Sequence, residues 1–273
     1  MVITNNSLTE KSYKKLSIQV ALNGLSFCCR DLLSGQITSF KQVDFSSFPK
    51  NYTIENALWK SILDYPELTR SYDSIVVLHE NDLSTFVPKP LFDADYKGSY
   101  LQFNTKVFET DFFATDEIEQ SEMINVYVPY VHVNNYLIDQ FGSFEYNHFS
   151  TILVSKLLDY SKNQESPQLF VHVAKEHFEI VVVQNQKLLL YNSFQYKNAD
   201  DFLYYLLFTA EQLHLNPETF KLFFLGDCTI ENELYQKAYQ YVRNTQMMEV
   251  SEIQKSNSFS AEENRKHFIL FHS

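Results

Sequence analysis

The chain has 273 residues, and five of them are glycine: Gly24, Gly35, Gly98, Gly142 and Gly226. About 19 would be expected at the ordinary share of roughly 7%. No two lie closer than Gly24 and Gly35, so G-x-G-x-x-G and G-x-x-x-x-G-K-[ST] are both excluded, together with the phosphate cradles they build. Lys+Arg 22 against Asp+Glu 34 gives a net charge of −12, which opposes nucleic acid and anionic membrane surfaces as partners.

Apolar residues make up 45% and aromatic residues 16% of the chain, enough for one large core or two ordinary ones. The opening MVITNNSLTEKSYKK is polar and no window reaches about 18 consecutive apolar residues, so neither a secretion signal nor a membrane span is expected. Cys28 and Cys29 are adjacent and Cys228 is remote, which suits neither a disulfide framework nor a zinc set. The expected compartment is the cytoplasm.

In chain order, Leu16, Ile18, Val20 and Leu22 alternate as one face of a strand. Asn23-Gly24 reads as a two-residue hairpin turn, and LSFCC returns. A third strand fits 37–45. A helix over 52–65 places Ile54, Leu58, Ile62 and Leu63 on one face and stops at Pro66. SIVVLH (74–79) is a buried strand, followed by the polar turn Glu80-Asn81-Asp82 and LSTFVP. Further strands are expected over 107–114 and 125–128, then helices over 133–141 and 148–161.

The polar stretch SKNQESP (161–167) divides the chain, giving an N-terminal half of residues 1–163 with inserted elements and a C-terminal half of 164–273. The order then restarts with strands over 169–174, 178–183 and 187–193. Asn198 caps a helix whose first turn carries Asp200 and Asp201. That helix, DDFLYYLLFTAEQL, is apolar almost all round, so it should be buried or covered by a neighbour. KLFFLG (221–226) is a strand, 231–243 a helix, 250–266 a polar and mobile segment, and HFILF a closing strand.

The halves repeat. A shift of 153 lays LSIQVALNGLSFCC (16–29) on LFVHVAKEHFEIVV (169–182), and a shift of 147 lays SIVVLH on KLFFLG. The expected fold is therefore α/β, with two β-β-β-α-β halves of the ribonuclease-H-like kind and a cleft between them. The strand order alone would also suit a nuclease of that kind. Such enzymes need a carboxylate on the first strand for two-metal catalysis, and Gln19 and His172 stand there instead.

A duplicated unit of this order resembles the actin-like ATPase superfamily of actin, sugar kinases, Hsp70 and the actin-like protein of pilus assembly. LSIQVALNGLSFCC, SIVVLHENDLSTFVPKPLF, NVYVPYVHVNNYLIDQFGSFEYNHFSTILVSKLL and LFFLGDC are similar, more narrowly, to the bacterial domain-of-unknown-function family 3822, whose fold is reported as actin-like. The resemblance implies a D-x-G in the first hairpin of each half, the Asp ordering magnesium and the Gly admitting phosphate. The Asp positions fall on Gln19 and His172 and the Gly positions on Ala21 and Ala174. The adenosine-binding Gly-Gly turn falls on Gly226 and Asp227.

Other constellations read as structural. His172, Glu176, His177 and Glu179 could be drawn as a metal site, but strand parity sets the two histidines on opposite faces and Glu176-His177 suits a turn. His79 to Asp82 is a polar turn, and Asp93 and Asp95 lie in a solvated loop. Of Cys28 and Cys29, one should be core and one accessible. Cys228 lies near a helix start, where its pKa could fall. His267 and His272 bracket the closing strand without a convergent carboxylate.

The expected function is a non-enzymatic interaction or scaffold module with degenerate phosphate loops, no catalytic residues, no metal and no cofactor. The alternative is a divergent ATP- and magnesium-binding protein or kinase that anchors phosphate with Lys175 or with side-chain amides. The expected partner is a protein, self-association included.

Overall fold

The computed structural model describes residues 12–49, 52–108 and 110–273; most of the polar opening, 1–11, and Glu109 within the strand expected over 107–114 lie outside them. The described residues begin with three antiparallel strands, β1 (Lys14–Ala21), β2 (Gly24–Asp31) and β3 (Ile37–Asp44), then α1 (Ile54–Asp64) and β4 (Ser74–His79). Thr53 caps α1 by accepting from Asn56 N–H. An insertion follows: β5 (Ser84–Pro88), α2 (Lys97–Leu101), β6 (Ala114–Ile118) and β7 (Met123–Tyr127) form a small sheet ordered β5-β7-β6. Then come α3 (Val131–Phe141), β8 (Glu145–His148) and α4 (Phe149–Tyr160).

The second half repeats the plan with β9 (Gln168–Val173), β10 (His177–Gln184), β11 (Lys187–Gln195), α5 (Ala199–Gln212), β12 (Lys221–Gly226), α6 (Glu233–Tyr241) and β13 (Asn244–Met247). It closes with α7 (Ala261–Lys266) and α8 (Phe268–His272). The two large sheets run β3-β2-β1-β4-β8 and β11-β10-β9-β12-β13. In each, the first three strands are antiparallel and the last two join in parallel.

The repeat holds residue by residue. Leu16 pairs with Cys29 and Ile75 in the first sheet, and Leu169 pairs with Val182 and Leu222 in the second. Both shifts read from the sequence therefore survive as hydrogen-bonding register. The alternation of side chains sends each strand face into a different layer. Leu16, Ile18 and Val20 pack outward with α1 and α3, and Leu169, Val171 and Val173 outward with α5 and α6. Between the sheets, Cys28, Val76, Phe170, Val181 and Phe223 share one core with α4 and α8.

Several expectations change. HFILF is the helix α8, with Phe268, Ile269, Leu270 and Phe271 all buried. An apolar run covered on every side carries no periodicity to mark it as strand or helix. The strand expected over 107–114 lies instead at β6, and the four-residue β8 and β13 are additional. The hairpin turn is Leu22-Asn23, because Ala21 pairs with Gly24; Leu22 is exposed, as is Leu63 on α1. The segment 250–266 contains a Ser260–Glu263 capping box and a fully buried Asn264. Cys28 and Cys29 do alternate faces, but both faces are covered and both thiols are buried.

Candidate ligand cleft

Strands β1 and β4 end together, as do β9 and β12. In open α/β sheets the loops at the carboxyl ends of parallel strands form the crevice in which ligands bind. Here the loops of the two halves face each other across one cleft of about 1180 Å³. Its lining includes Gln19, Ala21, His172, Ala174, Lys175 and Asp227. Gly226 ends β12 behind it.

In the first half, Gln19 Nε2 donates to Glu80 Oε2 at 2.8 Å, and Tyr130 Oη donates to the Glu80 carbonyl at 2.7 Å. Ala21 faces Gly24 across the tight turn. In the second half, His172 Nδ1 lies 2.7 Å from Glu179 Oε2, and His177 Nε2 lies 3.1 Å from Glu179 Oε1. Ser193 Oγ donates to the same carboxylate at 3.1 Å. Glu179 is fully buried. Burial alone would raise its pKa, yet His177 and His172 hold it at about 2. Burial would likewise depress His177, but Glu179 lifts it to about 9, so the pair is ionised at neutral pH.

This cluster corrects the parity argument. The turn is Lys175-Glu176, so Ala174 N–H donates to His177 O at 2.9 Å and His172 pairs with Glu179. Residues paired across an antiparallel ladder share a face, and His177 and Glu179 are two apart on one strand. His172, His177 and Glu179 therefore converge. A two-residue turn pairs even with odd positions, so parity counted straight through it misleads, and the cross-strand pairing was the signal that could have found them. Among the described residues no group of three or more His, Cys, Asp and Glu is arranged to hold a metal.

Gly226 adopts φ +84°, and a Cβ there would stand 2.3 Å from Val173 O and 2.7 Å from Val173 N. This brings Asp227 N–H onto Val173 O at 2.7 Å. Asp227 also pairs with Lys266 at 3.0 Å, and Lys175 with Asp44 at 3.6 Å across the cleft. Six carboxylates line the cleft against three lysines, and these pairs occupy two of the three. Both pairs are well exposed, so each contributes little to stability.

The turn after β4 is a buried hub rather than a solvated loop. His79 is fully buried with Nε2 3.0 Å from Asn134 Oδ1, and its pKa falls to about 4 through burial. Asn81 Oδ1 lies 3.2 Å from His148 Nε2 and accepts from Leu83 N–H. His148 is fully buried, and desolvation drops its pKa to about 3. Beyond it, Asp116 accepts from His148 N–H, Thr151 Oγ1 and Tyr127 Oη at 2.6–2.9 Å. Burial raises the Asp116 pKa, while these donors and the N-terminus of α4 oppose that rise. A continuous polar chain runs from the cleft into the inserted sheet.

The remaining candidates stay apart from the cleft chemistry. Asp93 and Asp95 are exposed, Asp93 accepting from Asp95 N–H. Cys228 is buried and its thiol is pushed up to about 12, first by desolvation and then by Asp227, the reverse of activation. His267 reaches the cleft edge, while His272 turns back to Phe268 O at 2.7 Å.

Two duplicated sheets with the same strand order, enclosing a cleft at their carboxyl ends, define the actin-like ATPase fold. A Bacteroides thetaiotaomicron protein of unknown function with that fold superposes with a TM-score of 0.82 at 19% identity, covering 98% of each chain. A chain of the PilM–PilN type IV pilus biogenesis complex superposes at 0.57 with 11% identity, covering 94% of this chain and 95% of that one. The sequence profile of the family described as "Protein of unknown function (DUF3822)" matches residues 3–245, and the chain belongs to that family. No curated protein matches it in sequence. None of the helices among the described residues is long and apolar enough to cross a membrane.

Proposed function

We propose that the chain is a non-enzymatic interaction module that keeps the actin-like scaffold without its nucleotide chemistry. One observation carries this reading. The two side chains at the positions of the magnesium-ordering carboxylates are each engaged by an acid of their own half, Gln19 by Glu80 and His172 by Glu179. Neither offers an anionic oxygen to magnesium, and Glu80 lines the cleft where a triphosphate would have to approach, while Glu179 is buried beneath His172 and His177.

The rest of the cleft points the same way. Ala21 and Ala174 carry a Cβ where the fold family uses glycine, and Asp227 follows Gly226. Each uncompensated carboxylate about 4 Å from a phosphate charge costs on the order of 1–4 kcal/mol, depending on solvent access. Lys175, the alternative phosphate anchor, already faces Asp44. The residues present do not fit a magnesium nucleotide. The structural relative in the PilM–PilN complex is itself part of a protein assembly, which accords with a docking role.

Calorimetric titration with ATP and magnesium tests this. The expected result is no saturable heat below about 1 mM, with no phosphate release. Micromolar binding abolished by Lys175→Ala would establish a divergent nucleotide site instead.

A further inference from the structure

Helix α5 leaves part of its apolar circumference uncovered. Phe202, Leu203, Leu206 and Ala210 are buried against the second sheet, whereas Tyr204 and Phe208 are 62% and 45% exposed. Their rings stack on each other at 5.9 Å and 14°, so they form a flat plate one turn long.

Helix α6 extends this plate. β11, β12 and β13 all run in the same direction as β9, so α5 and α6, the connections between them, return side by side and parallel. The Lys237–Asp200 ion pair at 2.6 Å fixes their relative level. One turn further along each helix lie Tyr241, 52% exposed, and Tyr204. The spacing therefore sets Asp200, Tyr204, Phe208 and Glu211 along one stripe and Glu233, Lys237 and Tyr241 along the next.

The charge of this face selects its occupant. The two helices carry Asp200, Asp201, Glu211 and Glu233 against Lys237 alone, and Lys237 is already paired. Aromatic faces attract cations through the ring quadrupole, guanidinium best of all, and flanking carboxylates add to that attraction. A second copy would bring the same acids and another −12 to the same place, which like-charge repulsion opposes.

We infer that the α5–α6 face is a docking surface for a basic segment of a partner protein, with arginine or lysine side chains seated on Tyr204, Phe208 and Tyr241 between the acids. Aromatic residues at the centre of an interface with charge at its rim are where binding energy concentrates. This deepens the reading of the chain as an interaction module and rests on it.

The test uses the full chain on an array of 12-residue peptides in which arginine/lysine, aspartate/glutamate and leucine/phenylalanine content varies independently. The strongest binder is then measured by fluorescence anisotropy. Binders should require at least two basic residues. Tyr204→Ala/Phe208→Ala, which leaves the net charge untouched, should weaken binding about tenfold or more. Asp200→Asn/Glu211→Gln should weaken it a few-fold and flatten its salt dependence. Trp59→Ala, removing an exposed aromatic of α1, should leave it unchanged, and circular dichroism should report native folding for every variant.

An array with no binder or no basic preference overturns the inference, as does unchanged affinity in the aromatic double variant. A wild-type dimer in sedimentation that the same variant disperses also overturns it, in favour of self-association. ATP titration on the same preparation separates the two proposals. Nucleotide binding would remove the interaction-module reading itself, whereas its absence alongside a failed array removes only the surface.

Discussion

The hairpins β1–β2 and β9–β10 share a register and face the same cleft, yet they hold opposite kinds of chemistry. In the first, the cleft-facing pair is an amide and a carboxylate, Gln19 and Glu80, both partly exposed to solvent. In the second, His172 and His177 line the cleft and cover Glu179, a fully buried carboxylate that pairs with His177 and also accepts from Ser193. The apolar positions behind them match closely, Ile18 with Val171 and Phe27 with Ile180. Core positions keep the duplicated architecture because packing penalises volume change. Cleft positions are held by no such constraint, so the two halves could diverge there. Much of the stability at stake should therefore lie in the second half.

The largest way to sharpen this contrast is Gly226→Ala. The methyl would meet Val173 backbone atoms at a positive φ, and the combined clash and strain should cost at least about 4 kcal/mol. Thermal denaturation should show a fall of 10 °C or more, or no folded protein. The first-half counterpart in the 147-residue shift is His79, where a side chain is accommodated and fully buried.

Glu179→Ala comes next. It leaves His172 and His177 facing a buried void, and breaking a buried pair from one side costs about 3–5 kcal/mol. Urea denaturation should show it. Gln19→Ala, the matching deletion in the first half, should cost under about 1 kcal/mol, because only one partly exposed hydrogen bond is lost. Equal losses in the two variants would break the comparison.

The pH dependence follows from the same pair. His177 is raised in the folded state to about 9, so its contribution is complete below about 6.5 and lost as pH rises through 9. Glu179 is depressed to about 2, so its contribution is present above its unfolded value and lost as pH falls through 2. The buried neutral His79 and His148, at about 4 and about 3, also favour the unfolded chain as pH falls below about 6.5. Melting temperature should therefore peak near pH 6.5 and decline on the alkaline side by an amount equivalent to roughly 3–4 kcal/mol. Glu179→Gln should abolish the decline between pH 6.5 and 9; a wild-type alkaline limb surviving in that variant would assign it elsewhere.

The sheet cores were legible because alternation in LSIQVAL writes a two-residue period directly and the repeat carries it onto LFVHVA, an apolar run buried on both faces. The Asn198 cap was legible for a similar reason: it accepts from Asp200 and Asp201 N–H as the local pattern implied. The cleft was less so. Its positions could be placed through the repeat, but the His172–Glu179–His177 cluster depends on pairing across the hairpin, where a two-residue turn sets even-numbered positions of one strand opposite odd-numbered positions of the next. β8 and β13, of four residues each, are too short for any period to register.

The sequence by itself determined the duplicated α/β order, the absence of glycine-rich phosphate motifs and the charge that disfavours polyanionic partners, since these rest on local periodicity and composition. Only the tertiary structure decided that HFILF is a helix wedged between two sheets, that Gly226 is required by the approach of Val173, and that Glu179 lies buried between two histidines. Each of those depends on what long-range pairing brings within a few ångströms, and no local pattern encodes that distance.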